Sequence, residues 1–458
     1  MDDRSAMSAG DPLLEQAVEN LSRAIRFETV SHQDPSLVDI EEFNSFHTFL
    51  EEAYPLVHSN LMKELMGTAS LLYTWPGKDP QARPLVLAAH VDVVPIAAGT
   101  LADWTHPPFE GATADGCVWG RGSMDCKGQL IAIMEAVEKL LREGYRPSRT
   151  IHLAFGQDEE VEGHQGAEKI AALLRSREVE PELVIDEGGA IAEAKMPGFR
   201  RPIAAVGITE KGYLTVELTV ETRGGHSSMP PKHTAIGILA RAIQRLERHR
   251  FPARIEPTTL KSLELLVPQL PSYARIALRN PRLLGVLVKL FLSRIDLVNP
   301  MVRTTTAATM VKGGTKENVL PQHASAVVNF RILPGDSPEG VVKRVKKIIA
   351  DRRVRVEVLG RATPPSEESR VDSAGFRILD RSIKDICPDA VTLPYLVVGM
   401  TDARHYTRIC DSVYRFCPMR VSRADQDLPH GTDERLSISS FTEMIEFYQR
   451  LVKNSSEE

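Results

Sequence analysis

Residues 84–94 read PLVLAAHVDVV. A near-continuous apolar run of this length is the pattern of a strand buried on both faces, and such strands belong to parallel sheets covered by helices on each side. The run ends in His90 and Asp92. They stand two apart in an extended chain, so both side chains project to one face. Asp92 is placed to accept from one ring nitrogen of His90 and leave the other for a metal ion. A satisfied core histidine beside a strand-end aspartate reads the same residues without a metal.

The segments that follow share the style of this strand. Lys127 to Arg142 carries Leu130, Ile133, Met134, Val137, Leu140 and Leu141 at helical spacing, with Gly144 as a stop signal. Ile151 to Phe155 is a second strand, Gly166 to Arg175 a helix, and Leu183 to Ile185 the core of a third strand. Strands alternating with helices predict an α/β fold with a mostly parallel sheet. From Tyr213 the pattern changes. Leu214, Val216, Leu218 and Val220 alternate with Thr215, Glu217, Thr219 and Glu221, which is a half-exposed strand. A helix (His233 to His249), strands at Thr305 to Val311 and Ala324 to Leu333, a helix opened by Ser337-Pro338-Glu339, and a strand at Val354 to Leu359 complete a β-α-β-β-α-β order, that of a ferredoxin-like unit. The expected organisation is a discontinuous catalytic domain, 1–211 and 361–458, interrupted by a lid domain, 212–360. The lid itself carries a Leu- and Val-rich helical insertion at 251–302.

Composition narrows the class. At 458 residues the chain has room for two to four domains, and 42% apolar with 26% charged residues is ordinary for a globular protein with a large core. Lys plus Arg is 56 against 61 for Asp plus Glu, so no basic face points to nucleic acid. The five cysteines include no C-x-x-C pair, which suits free thiols in a reducing compartment. The N-terminus, MDDRSAMSAGD, has no apolar h-region. The greasiest stretch, Leu283 to Leu292, is too short and too charged to span a bilayer. The expectation is a cytoplasmic protein.

Four carboxylates crowd the end of the second strand: Asp158, Glu159, Glu160 and Glu162 in T-I-H-L-A-F-G-Q-D-E-E-V-E-G, residues 150–163. A solvated acidic turn accounts for them unless a counter-charge lies nearby. Three further stretches offer metal-ligand chemistry. W-G-R-G-S-M-D-C-K-G (Trp119 to Gly128) lacks the phosphate-loop pattern but presents Asp125 near a helix N-terminus, where a carboxylate is favourable. V-I-D-E-G-G ends a strand at Asp186, and L-P-H-G-T-D-E-R-L carries His430. In open parallel sheets, sites form outside the carboxyl ends of the strands. Two histidines and three carboxylates there suit two Zn²⁺ ions sharing a bridging Asp; Co²⁺ or Mn²⁺ would be tolerated by so many oxygen donors.

The motifs HVDVVP, WTHPPFEG, GRGSMDCKG, QDEEVEG-x-x-GA, VIDEGG, GGHSS-x-P, KENVLP with FRILPG, TDARHY and HGTDER cover residues 85 to 435. In order and spacing they resemble the co-catalytic zinc amidohydrolase family of aminoacylase I, carboxypeptidase S and succinyl-diaminopimelate desuccinylase. The runs EKGYLTVELTV, PPKHTAIGILA and VRTTTAAT, with the 251–302 insertion, are most similar to its subgroup of carboxypeptidase S and the N-fatty-acyl-amino-acid synthase/hydrolase. The resemblance implies that His90 and Asp186 bind one metal, Glu160 and His430 the other, and Asp125 both. It implies that Asp92 orients His90, that Asp125–Cys126 is a cis peptide, and that Cys126 neighbours the metals without ligating them. Glu159 would be the general acid/base, and His226 of GGHSS would supply a donor to the oxyanion. In dimeric members that histidine serves the partner's site, so a homodimer through the lid is expected.

The substrate reading follows from the same resemblance. Arg404, with Thr401 beside it, matches the position that binds a substrate carboxylate, and Asn318 and Arg331 match other substrate contacts. The implied activity is hydrolysis of N-acyl amino acids, with capacity for the reverse reaction. The alternative on the same site is a carboxypeptidase or dipeptidase acting on short peptides. Leu263, Leu265, Leu266, Val267, Leu283, Leu284, Val286, Leu287, Leu290 and Phe291 would line a channel for a long acyl chain, or else pack against the domain or form an interface.

Overall fold

The computed structural model describes residues 11–193, 201–266 and 299–457, apart from Arg423 and Gln426. The chain divides into two compact units. One comprises the segments up to Ile208, Glu368–Pro394 and Thr401–Glu458; the other comprises Thr209–Glu367 and Tyr395–Met400.

The first unit is built on four parallel strands lying side by side in the order Ile151–Gly156, Leu85–His90, Leu183–Asp186 and Val413–Arg415. Ser70–Trp75 and Met62–Met66 extend this sheet antiparallel at one side, and Pro202–Glu210 pairs antiparallel at the other. All six residues of Leu85–His90 are buried. Alternation explains why. Leu85, Leu87 and Ala89 face one core, shared with Leu130, Ile133 and Val137 of the helix Lys127–Arg142. Val86 and Ala88 face the other, against Ile170 and Leu174 of the helix Ala167–Ser176. The sheet is covered on both faces, as the apolar run requires. His90 is the last strand residue, so the chemistry-bearing side chains begin where the sheet's hydrogen bonding stops.

The second unit is a four-stranded antiparallel sheet in the order Thr305–Gly313, His323–Ile332, Gly212–Glu221, Val354–Thr363. Leu214, Val216, Leu218 and Val220 turn inward and bury against the helices Ala235–Arg248 and Pro338–Ile349. Thr234 and Ser337 cap those helices through side-chain oxygens that accept from the amides of Gly237 and Gly340. The order in sequence and in the sheet is that of a ferredoxin-like unit. Of the Leu- and Val-rich insertion, Pro257–Leu266 is helical and Leu265 is exposed. Val267, Leu283, Leu284, Val286, Leu287, Leu290, Phe291 and the side chain of Leu263 lie outside the described residues, so the acyl-channel expectation does too. No helix among the described residues is long and apolar enough to cross a membrane.

His152 sits within the parallel sheet, 6% exposed, with Nδ1 3.1 Å from Thr74 Oγ1. Burial, with Arg177 nearby, holds its pKa down to about 4. Its folded value lies below the unfolded one, so the unfolded chain takes up the extra proton first. The stability it contributes is present above about pH 6.5 and is lost as pH falls towards 4. Urea unfolding followed from pH 7 to pH 4.5 should show a decline of which His152 supplies up to about 3 kcal/mol. A His152→Leu variant should show a shallower decline; an unchanged slope would mean that the buried ring does not govern it.

Candidate active site

His90 leaves its strand fully buried, with Nδ1 2.8 Å from the backbone carbonyl of Asp92. A carbonyl only accepts, so Nδ1 carries a hydrogen, and Nε2 is left to face the carboxylates beyond the strand end. Nε2 lies 3.0 Å from Asp125 Oδ1 and 3.4 Å from Glu187 Oε1. Asp92 thus faces Nδ1 twice, through its main-chain carbonyl at 2.8 Å and its carboxylate at 3.4 Å. The carboxylate of Asp92, wholly buried, has another use. It accepts from Ser31 Oγ at 2.6 Å and from the amides of Glu159 and Glu160, each at 3.1 Å. Asp92 therefore holds the start of the acidic loop against the end of the His90 strand.

That loop is folded by its own aspartate. Asp158 accepts from the amides of Gln165 and Gly166 at 2.7 and 2.8 Å, closing residues 158–166 into a compact turn. Gly163 sits at φ +65°, and a Cβ there would come within 2.0 Å of Asp402 Oδ1, so only glycine fits. With the turn closed, Glu160 reaches His430, whose Nε2 lies 3.1 Å from both carboxylate oxygens. The same Nε2 lies 3.1 Å from Asp125 Oδ2. Asp125 is faced by His90 through one oxygen and by His430 through the other, and the Asp125–Cys126 peptide is cis. Cys126 is buried behind His90, whose amide donates to its sulfur at 3.1 Å.

The electrostatics are those of a site short of positive charge. Burial, then Glu187 nearby, pushes the Glu159 carboxyl well above the usual range. Burial, with Asp125 beside it, pushes Glu187 up to about 8. Burial also works against the Asp125 carboxylate, but hydrogen bonds from His430 and His90 outweigh it and hold its pKa below the ordinary value. Hydrogen bonds to Asp125 and Glu160 raise His430 to about 10. Divalent cations among these donors would relieve the repulsion that the two histidines relieve only in part.

Two consecutive carboxylates, Asp186 and Glu187, close the third strand, and Asp186 is the expected ligand. It is 1% exposed, it leaves Oδ2 without a hydrogen-bond partner, and it joins neither group of donors close enough to hold one ion. His90, Asp125 and Glu160 form one such group; His90, Cys126 and Glu187 form the other. Glu187 brings Oε1 to 3.4 Å from His90 Nε2, and the buried Asp186 carboxyl feels the same imidazole.

The remaining expected residues fall in separate places. Arg404 Nη2 donates to the carbonyl of Glu162 at 2.7 Å, beside the acidic loop. Thr401 is buried, and its Oγ1 accepts from the amide of Ala403 at 3.3 Å. In the second unit His226 is exposed, with Nδ1 2.7 Å from Ser228 Oγ. Its short strand pairs with Val319–Leu320, and the Ser227 amide donates to the carbonyl of Asn318 at 3.1 Å, so His226 and Asn318 share one hairpin. Arg331 lies with its guanidinium 4.9 Å from the Tyr213 ring centroid.

The chain is similar to known proteins along most of its length. Residues 86–454 match the family described as Peptidase family M20/M25/M40. The chain is 38% identical over 444 residues to a carboxypeptidase S-like protein of Dictyostelium discoideum, covering 96% of this chain and 85% of that one. It is also 38% identical over 447 residues to an N-fatty-acyl-amino acid synthase/hydrolase of Danio rerio, covering 96% and 86%. Among solved structures, an M20 family metallo-carboxypeptidase of Sulfolobus solfataricus superimposes with a TM-score of 0.71 at 18% identity, covering 98% of this chain and all of that one, which shows a shared fold.

Metal addition tests the cluster directly. A ligand that binds only the folded state at a hundredfold excess over Kd stabilises it by about 2.7 kcal/mol. Saturating Mn²⁺ or Zn²⁺ should therefore raise Tm by several degrees, and Asp125→Ala should remove most of that rise. Equal shifts in both proteins would place cation binding elsewhere.

Proposed function

The chain belongs to peptidase family M20/M25/M40 and is a metal-dependent hydrolase; from that premise we propose that it cleaves the amide bond of N-acyl amino acids, N-fatty-acyl ones above all, releasing fatty acid and amino acid. The reverse reaction runs when both products are abundant. The observation that carries this reading is Asp125 facing His90 with one oxygen and His430 with the other.

In this reading His90 and Asp186, with Glu187 beside His90, would hold one divalent cation, zinc in the first instance; Glu160 and His430 would hold the other, and Asp125 would serve both. Bound there, the cations supply Lewis acidity and lower the pKa of a water molecule towards neutrality. The residues do the rest. Asp92 holds the amides of Glu159 and Glu160 and so aims both carboxylates. Glu159, its pKa raised by burial and by Glu187, takes the proton from the attacking water and returns it to the departing amine. Arg404, steadied by the Glu162 carbonyl, pairs with the substrate carboxylate beside Thr401. For the second unit the reading keeps the roles implied by family resemblance: His226 as a donor to the oxyanion, Asn318 and Arg331 as substrate contacts, and a homodimer through that unit. The five free cysteines favour a reducing compartment such as the cytoplasm.

A substrate panel on the metal-loaded protein is the test. Dodecanoyl amino acids should turn over faster than acetyl ones, and equal rates would sink the fatty-acyl preference. Unacylated dipeptides cleaved fastest of all would replace this reading by a carboxypeptidase or dipeptidase. Glu159→Ala should lose about 10²–10⁴ in kcat with metal content retained. Normal turnover in that variant would remove Glu159 from the proton transfers.

A further inference from the structure

Glu434 follows His430 by four positions and is wholly buried, yet it joins neither group of side chains placed to hold a metal ion. Its hydrogen bonds all run to the other loop of the site. Oε1 accepts from the amide of Met124 at 2.9 Å and from the amide of Asp125 at 3.1 Å. Oε2 accepts from Arg121 Nη1 at 2.5 Å. Arg121 returns the connection through Nη2, which donates to the carbonyl of Gly431 at 3.1 Å. The main chain repeats the pattern: the Gly120 amide donates to the Glu434 carbonyl at 2.8 Å. Beyond it, Arg435–Ser437 pairs antiparallel with Cys117–Trp119.

We infer that Glu434, with Arg121, is a positioning pair that sets the backbone displaying Asp125 and ties it to the loop carrying His430. A glycine-rich loop has many conformations open to it, and Gly120, at φ +142°, lies in a region that side-chain-bearing residues rarely adopt. Two consecutive amides held by one carboxylate remove that freedom at the residue that must face both histidines. The Arg121 guanidinium, 5.5 Å from the Trp104 ring centroid, offsets the charge of the wholly buried carboxylate. One buried pair thus joins segments some 310 positions apart in sequence, and their agreement decides whether Asp125 and His430 meet.

The inference rests on the two-cation reading, so the experiment separates the two. The Mn²⁺-loaded wild type and Glu434→Gln are compared by electron paramagnetic resonance for exchange coupling within a metal pair, by elemental analysis, and by kcat and KM on an N-acyl amino acid. Glutamine keeps the size but loses the charge that holds Arg121. The expected result is a folded variant with KM little changed, kcat down roughly 10–100-fold, and coupling weakened or lost. If Glu434→Gln fails to fold, the double variant Arg121→Met/Glu434→Gln, which leaves no stranded guanidinium, takes its place with the same expectation. A variant that keeps the coupled pair and full kcat, even with a lowered Tm, overturns the inference and leaves Glu434 a purely structural residue. A wild type with no coupled pair overturns the two-cation reading, and the inference with it.

Discussion

One carboxylate between two imidazoles organises this protein. Asp125 offers one oxygen to His90 and the other to His430, and these three come from a strand end, a glycine-rich loop and a distant C-terminal loop. Three separate segments must converge to about the length of a hydrogen bond. Acidic groups gathered so closely repel one another, and burial raises the cost of charging each. The arrangement is chemically sensible as a receptacle for positive charge. The sheet places the polar residues of the site where the strands end, because most positions along the central strands are taken by the two apolar cores.

Buried carboxylates serve two distinct purposes here. Asp125, Glu160 and Glu187 face the cluster, whereas Asp92, Asp158 and Glu434 turn to backbone amides. A carboxylate has room for several donors, so it can pin two consecutive amides at once. Asp92 does this for the acidic loop, Asp158 for the turn that follows it, and Glu434 for the loop of Asp125. The precision of the site is therefore built from the same residue type as its chemistry, one layer further out.

Much of this was legible from the chain. The helix Lys127–Arg142 shows its period and its stop signal, and the buried strands show their composition. The alternation of Leu214 to Val220 foretells a sheet with one covered face. The short antiparallel strands Met62–Met66 and Ser70–Trp75 were not read, because MKELM and SLLYTW lack a sustained period and owe their pairing to partners elsewhere in the sheet. Within the site, Asp92 lies two from His90 on the correct face, and both its carbonyl and its carboxylate face the ring. That the same carboxylate holds the amides of Glu159 and Glu160 was not legible, because those residues lie some 67 positions further along the chain.

By itself the sequence determined the residue types, the periodicities and the ends of the strands. Those depend on local backbone geometry and on which side chains leave water, and both are written residue by residue. The tertiary structure alone decided that Glu187 comes within 3.4 Å of His90, and that Glu434 reaches across to the amide of Asp125. Each depends on the meeting of segments far apart in the chain. Side-chain direction at a strand's end is set by what packs around it, and no stretch of sequence carries that alone.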